Sequence, residues 1–373
     1  MKQMNNSLSK VPLFHITRRK ELPWYRAWLI RVIAVIMGLI LCGIVTMFLV
    51  KINPLDVYKT MLSGAFGTSR RIWVTAQNMA ILLGISLALA PAFKMRFWNL
   101  GGDGQTLMGV LGATTPMILL GGKVPNIILI LIMLVCAVVA GAIWALIPAA
   151  FKARWNTNET LFTLMMNYVA IQLVSFFVVV WENPKGASKI GIINQDTMAG
   201  WLPQIGNNQY LLNILIVLVL TVAIYIYMRY TKHGYEISVV GESEPTARYV
   251  GIKVKRVILR TMLLSGAICG LVGFLLVSGT SHTMTTTIVN GRGFTGVMVA
   301  WLAKFNPIFM ILTSLLLVFL SRGASEISTI YGLNDSFGSI LAGILLFFII
   351  GCEFFLNYQI ALKKTRKEVK IDA

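Results

Sequence analysis

The sequence predicts an all-α, polytopic integral membrane protein of about ten transmembrane segments, and three observations predict it. Of the 373 residues 57% are hydrophobic and only 13% charged, with a mean hydropathy of +0.75, where a soluble domain carries about 25% charged residues. Apolar runs long enough to cross a hydrocarbon core, about 20 residues each, recur along the chain. The basic residues behind the net charge of +19 gather at alternate connections, as the Lys and Arg bias of cytoplasmic loops requires. The charge therefore reads as topology, and no nucleic-acid partner is expected.

The chain opens with a basic cytoplasmic segment, residues 1–26, followed by the apolar run Ala27 to Val50. That run is too long for a signal-peptide core and has no small-residue cleavage site, so it reads as a first span. Asn53 to Gly64, with a Pro near its start and apolar residues at helical spacing, predicts a short helix on the outer face. Further spans are expected at about Val74–Phe93, Gln105–Leu120, Ile127–Ala150, Leu161–Trp181, Tyr210–Met228 and Thr261–Gly279. Phe294–Ala303 and Ile308–Leu320 each look too short to cross alone, and Lys304-Phe-Asn-Pro307 separates them. Reading them as a broken or re-entrant pair puts the basic tail, residues 359–373, on the same side as the N-terminus once Ser339–Phe355 has crossed. The transmembrane domain is thus 27–358, with a cytoplasmic loop at 231–260.

One polar stretch interrupts this pattern. Lys94 to Gly109 holds four glycines, Asp103, two amides and two aromatics between spans. Polar backbone at membrane depth survives only when protein or a water-filled cavity surrounds it. Asn99-Leu-Gly-Gly-Asp-Gly-Gln105 is echoed by Asn290-Gly-Arg-Gly-Phe-Thr-Gly296, each following one apolar helix and leading into another. Glycine-interrupted segments at corresponding places of opposed halves point to a midplane site. Phe97, Trp98, Asn99, Asp103, Gln105 and Phe294 are therefore candidate pathway residues, with Gln77, Asn78 and Asn167 as mid-helix hydrogen-bonding groups. Asp103 can also serve the helix that follows it as a capping acid, and Glu353 reads as interfacial.

Recognisable reaction chemistry is missing from the sequence. It has no phosphate-binding Gly-x-x-x-x-Gly-Lys loop, no nucleophile elbow and no His-Glu-x-x-His helix. Its four cysteines sit singly in apolar runs with no metal-ligand spacing. No catalytic residue, metal or cofactor is expected. The segment His233 to Ile252 is unusual for a connector: Pro245 is placed for a helix start and Gly251 for its stop, a shape suited to docking on another protein.

Five motifs in order, Asn99 to Gln105, Asn158-Glu159 with Met166-Asn-Tyr168, Gly241 through Ala247-Arg-Tyr-Val-Gly-Ile252, Ser265 to Gly273 and Gly293 to Ala300, together resemble the permease subunits of bacterial ABC importers for simple sugars, branched-chain amino acids and nucleosides. Asn53-Pro-Leu-Asp-Val-Tyr58 and Gly64 to Gly67 are most similar to the nucleoside branch. Two departures are visible. Gly102-Asp103 replaces the family's usual Ala-Glu, and the Asn common after the first glycine of the docking segment is absent. The resemblance implies a non-enzymatic, multi-pass plasma-membrane subunit that forms the pathway for a small polar solute, a nucleoside first and a ribose-like sugar second. An ion-coupled carrier is the alternative from another class. It implies as partners cytoplasmic ATPase subunits that bind the ATP, a second permease chain (a homologue or a copy), an extracytoplasmic substrate-binding lipoprotein and membrane lipid. Gly241, Glu242, Ala247, Arg248, Tyr249 and Gly251 would then form the coupling segment.

Overall fold

The computed structural model describes residues 14–18, 23–51, 53–206 and 208–362. The basic ends expected at 1–26 and 359–373 lie largely outside these residues, as does the side chain of Glu353. Among these residues, apart from a two-stranded ribbon, β1 (Phe14–Arg18) antiparallel to β2 (Tyr358–Leu362), the regular structure is helical.

Two compact units form. The first comprises residues 1–62 and 323–373. In it α1 (Trp24–Val50) packs along α13 (Asp335–Asn357), where Gly38 meets the Leu345 and Phe348 side chains and the Cys42 thiol donates to the Leu341 carbonyl at 3.5 Å. Pro23 sets the start of α1 and Lys51, in the left-handed region, ends it. Next comes α2 (Pro54–Phe66), the short helix expected from Pro54; its Tyr58 hydroxyl donates to the Leu39 carbonyl.

The second unit, residues 63–322, carries α3 (Ser69–Lys94), α4 (Gly102–Leu120), α5 (Asn126–Trp155), α6 (Glu159–Val180) and α7 (Leu211–Tyr230). It continues with α8 (Lys232–Glu242), α9 (Glu244–Tyr249), α10 (Val254–Leu276), a π-helical turn (Val277–Ser281), α11 (Arg292–Leu302) and most of α12 (Pro307–Ile330). At its centre α10 packs against α3, α4 and α5. Small residues permit that approach: a Cβ on Gly109 would lie 2.5 Å from the Gly270 Cα, so only glycine lets α4 and α10 touch backbone to backbone.

Among the described residues six helices are long and apolar enough to cross a bilayer: α3, α5, α6, α7, α10 with its π turn, and α12. Shorter apolar stretches run from Val32 to Phe48 and from Gly343 to Leu356. One expectation is corrected. The run beginning at Ile308 was expected to end at Leu320 and fall short, yet α12 continues for 24 residues to Ile330. The extension Ser321 to Ile330 is polar enough to read as a loop but contains no Pro, and its one Gly323 is fitted against Met61. Of this pair, α11, with 11 residues and about 16 Å long, is the one too short to cross.

Candidate functional site: the paired glycine turns and the inner docking helices

The two glycine-rich turns that echo one another in sequence lie against each other. Asp103 sits in the first turn of α4, and its Oδ1 accepts the Gly293 N–H at 2.8 Å. A Cβ on Gly293 would come within 2.6 Å of the Asp103 nitrogen. A single carboxylate therefore faces the N-terminal ends of α4 and α11 at once, where partial positive charge from both helices favours it. Beside it the Arg292 Nη2 donates to the Asn78 Oδ1 at 2.7 Å, and Arg292 lies within electrostatic reach of both Asp103 and Arg322.

The other amides of the first turn are consumed in building it. Asn99 accepts from Gly101 N–H and from Gln105 Nε2, both at 3.0 Å, and its Nδ2 donates to Gln105 Oε1 and Ser265 Oγ. Asn167 reaches across from α6, accepting the Gly104 N–H at 2.8 Å and donating to the Leu100 carbonyl at 2.8 Å. Thr163 Oγ1 accepts the Leu100 N–H. All three amides are buried; Asn99 and Asn167 pair backbone that the turn would otherwise leave unsatisfied, and Gln105 holds the Asn99 amide through both its ends. Asn99, Gln105 and Asn167, read from the sequence as pathway residues, are thus brought together with their hydrogen-bonding groups turned onto the turn itself.

The aromatics separate. Trp98 and Phe294 are each 46% exposed; Trp98 leans on Trp301 at 5.7 Å and meets Phe93 edge-on. Phe97 is buried, and its surroundings are those of the docking segment: it shares an apolar cluster with Ala92, Ile237, Val240, Ala247 and Val257. A Cβ on Gly241, near the end of α8, would meet the Lys94 carbonyl at the end of α3. Ser243 stops α8 and caps α9, its Oγ accepting the Thr246 N–H at 3.4 Å. Glu244 pairs with Arg248 at 3.3 Å, and Gly251 turns the chain at φ 84°. The helix expected between Pro245 and Gly251 is therefore Glu244–Tyr249, with Gly241 and Glu242 belonging to α8. On α9 Ala247 is fully buried while Tyr249 is 92% exposed. One face is held by the bundle and the other is free.

Gln77 is a different kind of site residue. It is 4% exposed, and neither its Nε2 nor its Oε1 has a hydrogen-bond partner. Arg292, which bonds Asn78, is a site residue that the sequence did not single out. The signal was the echo itself, which sets an Arg in one glycine turn opposite an Asp in the other.

A protein-family profile described as branched-chain amino acid transport system / permease component matches residues 72–350. Three relatives match at similar strength. The glucose ABC transporter permease protein of Haloferax volcanii is 28% identical, over 94% of both chains. The nucleoside ABC transporter permease protein of Lactococcus lactis is 27% identical over 87% of this chain and 91% of its own. The guanosine ABC transporter permease protein of Bacillus subtilis is 28% identical over 86% of this chain and 92% of its own.

Proposed function

We propose, starting from the fact that this chain belongs to the family of permease components of branched-chain amino acid transport systems, that it forms the membrane pathway of an ATP-driven importer whose solute is a nucleoside. Family membership makes it a non-enzymatic, multi-pass cell-membrane subunit of an ABC importer. The finer reading rests on two of the three relatives above, which are named for nucleosides. The glucose permease, matched over the greatest length, favours a sugar as the second reading.

The observation that carries the mechanism is the buried apolar cluster that Phe97 shares with Val240 and Ala247. A cytoplasmic ATPase that grips the free face of α9 and closes on ATP would push Ala247 and Val240 against Phe97. The push reaches the Asn99 turn, which the Asp103–Gly293 bond ties to α11. Tilting these elements together opens the bundle to each side in turn. In this scheme α11 and α12 form the broken pair, about ten segments cross, and both termini lie inside. Gln77, Asn78, Trp98 and Phe294 border the pathway, while Asn99, Asp103, Gln105 and Asn167 hold its hinge. A second permease chain completes the channel, and an extracytoplasmic lipoprotein delivers the solute.

Uptake of radiolabelled guanosine and glucose into vesicles containing the assembled permease, ATPase and receptor tests this reading. Guanosine uptake is expected to require ATP hydrolysis and to survive ionophores. Uptake of glucose alone selects the second reading. Guanosine uptake that persists without the ATPase and collapses with ionophores overturns both in favour of ion coupling.

A further inference from the structure

Where α3 and α7 begin, an open cleft of about 750 Å³ is lined by Arg70, Trp73, Gln204, Asn208, Gln209 and Tyr210, a volume in the range of small-molecule sites. Arg70, Trp73 and Gln77 follow at i, i+3 and i+7 along α3, so they share one helix face. Tyr210, Asn213 and Val217 repeat that spacing at the start of α7. Each stripe therefore begins at the cleft and leads inward.

Register sets the stripes side by side. A Cβ on Gly84 would touch Val272 of α10 and lie 3.8 Å from Val217 of α7. Gln77 lies seven residues from Gly84 toward the cleft, about 10 Å. Gly279 of the π turn lies seven residues from Val272 in the same direction, because Ser278 bonds to the loop at Gly200 on the cleft side. A Cβ on Gly279 would strike the Asn213 amide. Gln77, Asn213 and the π turn thus occupy one layer beneath the cleft. In that layer Gln77 Nε2 and Oε1 and Asn213 Oδ1 are buried with no partner, although Asn213 Nδ2 donates to the Leu275 carbonyl at 3.4 Å.

Buried amide atoms left unpaired are costly, and π turns inside helices occur often at functional sites. We infer that this layer is the floor of a solute site whose vestibule is the cleft. Trp73 and Tyr210 offer aromatic faces to a flat ring. Asn208, whose Oδ1 accepts the Tyr210 N–H, and the two glutamines offer donors and acceptors for hydroxyls. The Gln77 amide, one donor beside one acceptor, matches the amide-like edge of an oxygenated heterocycle, as amide side chains do on base edges. The ligand class is a nucleoside entering ring-first, an inference that rests on the nucleoside reading above and adds where that solute is first held.

The test is calorimetric titration of guanosine into the purified full chain in lipid nanodiscs, without ATPase or receptor. Saturable binding is expected, weakened about tenfold or more by Trp73→Ala and by Gln77→Leu. Gln77→Leu should also keep or raise the unliganded melting temperature, because it removes two unpaired buried atoms. Unchanged affinity in a stable Gln77→Leu chain overturns the floor. Absence of saturable binding overturns the whole site while leaving ATP-driven guanosine uptake by the full assembly untouched. Glucose binding that is sensitive to the same variants, with no guanosine binding, overturns the flat-ring class and the nucleoside reading together.

Discussion

Asn167 shows how one side chain can hold a polar turn inside an apolar bundle. Its amide pairs one backbone N–H and one carbonyl of the Leu100–Gly104 turn, so Asn167→Ala leaves both without that partner. The expected cost is at least about 1–3 kcal/mol, read as a lowered denaturation midpoint of the purified chain. Gly293 is constrained by space instead. A methyl group there would press on the Asp103 backbone, and Gly293→Ala should destabilise by about 1–3 kcal/mol through overpacking. Solute uptake should fall further than the stability loss explains, because α11 is pushed off α4. His282, just beyond the π turn, stacks on Trp201 at 3.7 Å and 6°, and burial pulls its pKa below the ordinary value of 6.5. A group whose folded-state pKa is depressed favours the fold fully above its unfolded pKa and progressively less as pH falls below it. The melting temperature should therefore drop as pH falls below about 6.5, and His282→Gln should flatten that slope.

At the scale of elements, α9 divides a holding face from a presenting face. Tyr249→Ala should leave stability within about 0.5 kcal/mol, as exposed substitutions do, while ATPase stimulation by substrate-loaded receptor falls. Ala247→Glu buries a charge and should prevent assembly, seen as loss of ATPase co-purification. Much of this layer was legible in sequence: Pro245 and Gly251 announced α9, Pro54 announced α2, and the apolar runs announced the long helices. The end of α12 was not, because Arg322 and Glu326 make its last turns look like a loop. Nor was the division of labour among the amides. Asn99 bonds Ser265, 166 positions away, and Asn167 bonds Gly104, 63 away. A sequence shows that an amide is present in a span but not whether distant backbone has already taken its hydrogen bonds. Gln77 and Asn99 read alike, and only the fold tells the unpaired amide from the spent one.

For the whole molecule the prediction is orientation. An engineered thiol at Thr246 should react with an impermeant reagent only from the cell interior, and one at Gln204 only from outside. Reversal of either reactivity removes the proposed topology and the motor attachment that depends on it. The packing of Gly241 on the last carbonyl of α3 bears on the same question of force. With no atom-sized gap between them, a stroke delivered at the inner rim cannot be absorbed as slack before it moves α3. Widening that joint would give a protein that still grips its motor but wastes the first part of every cycle: fuel would be spent at the usual rate with less cargo delivered per turn.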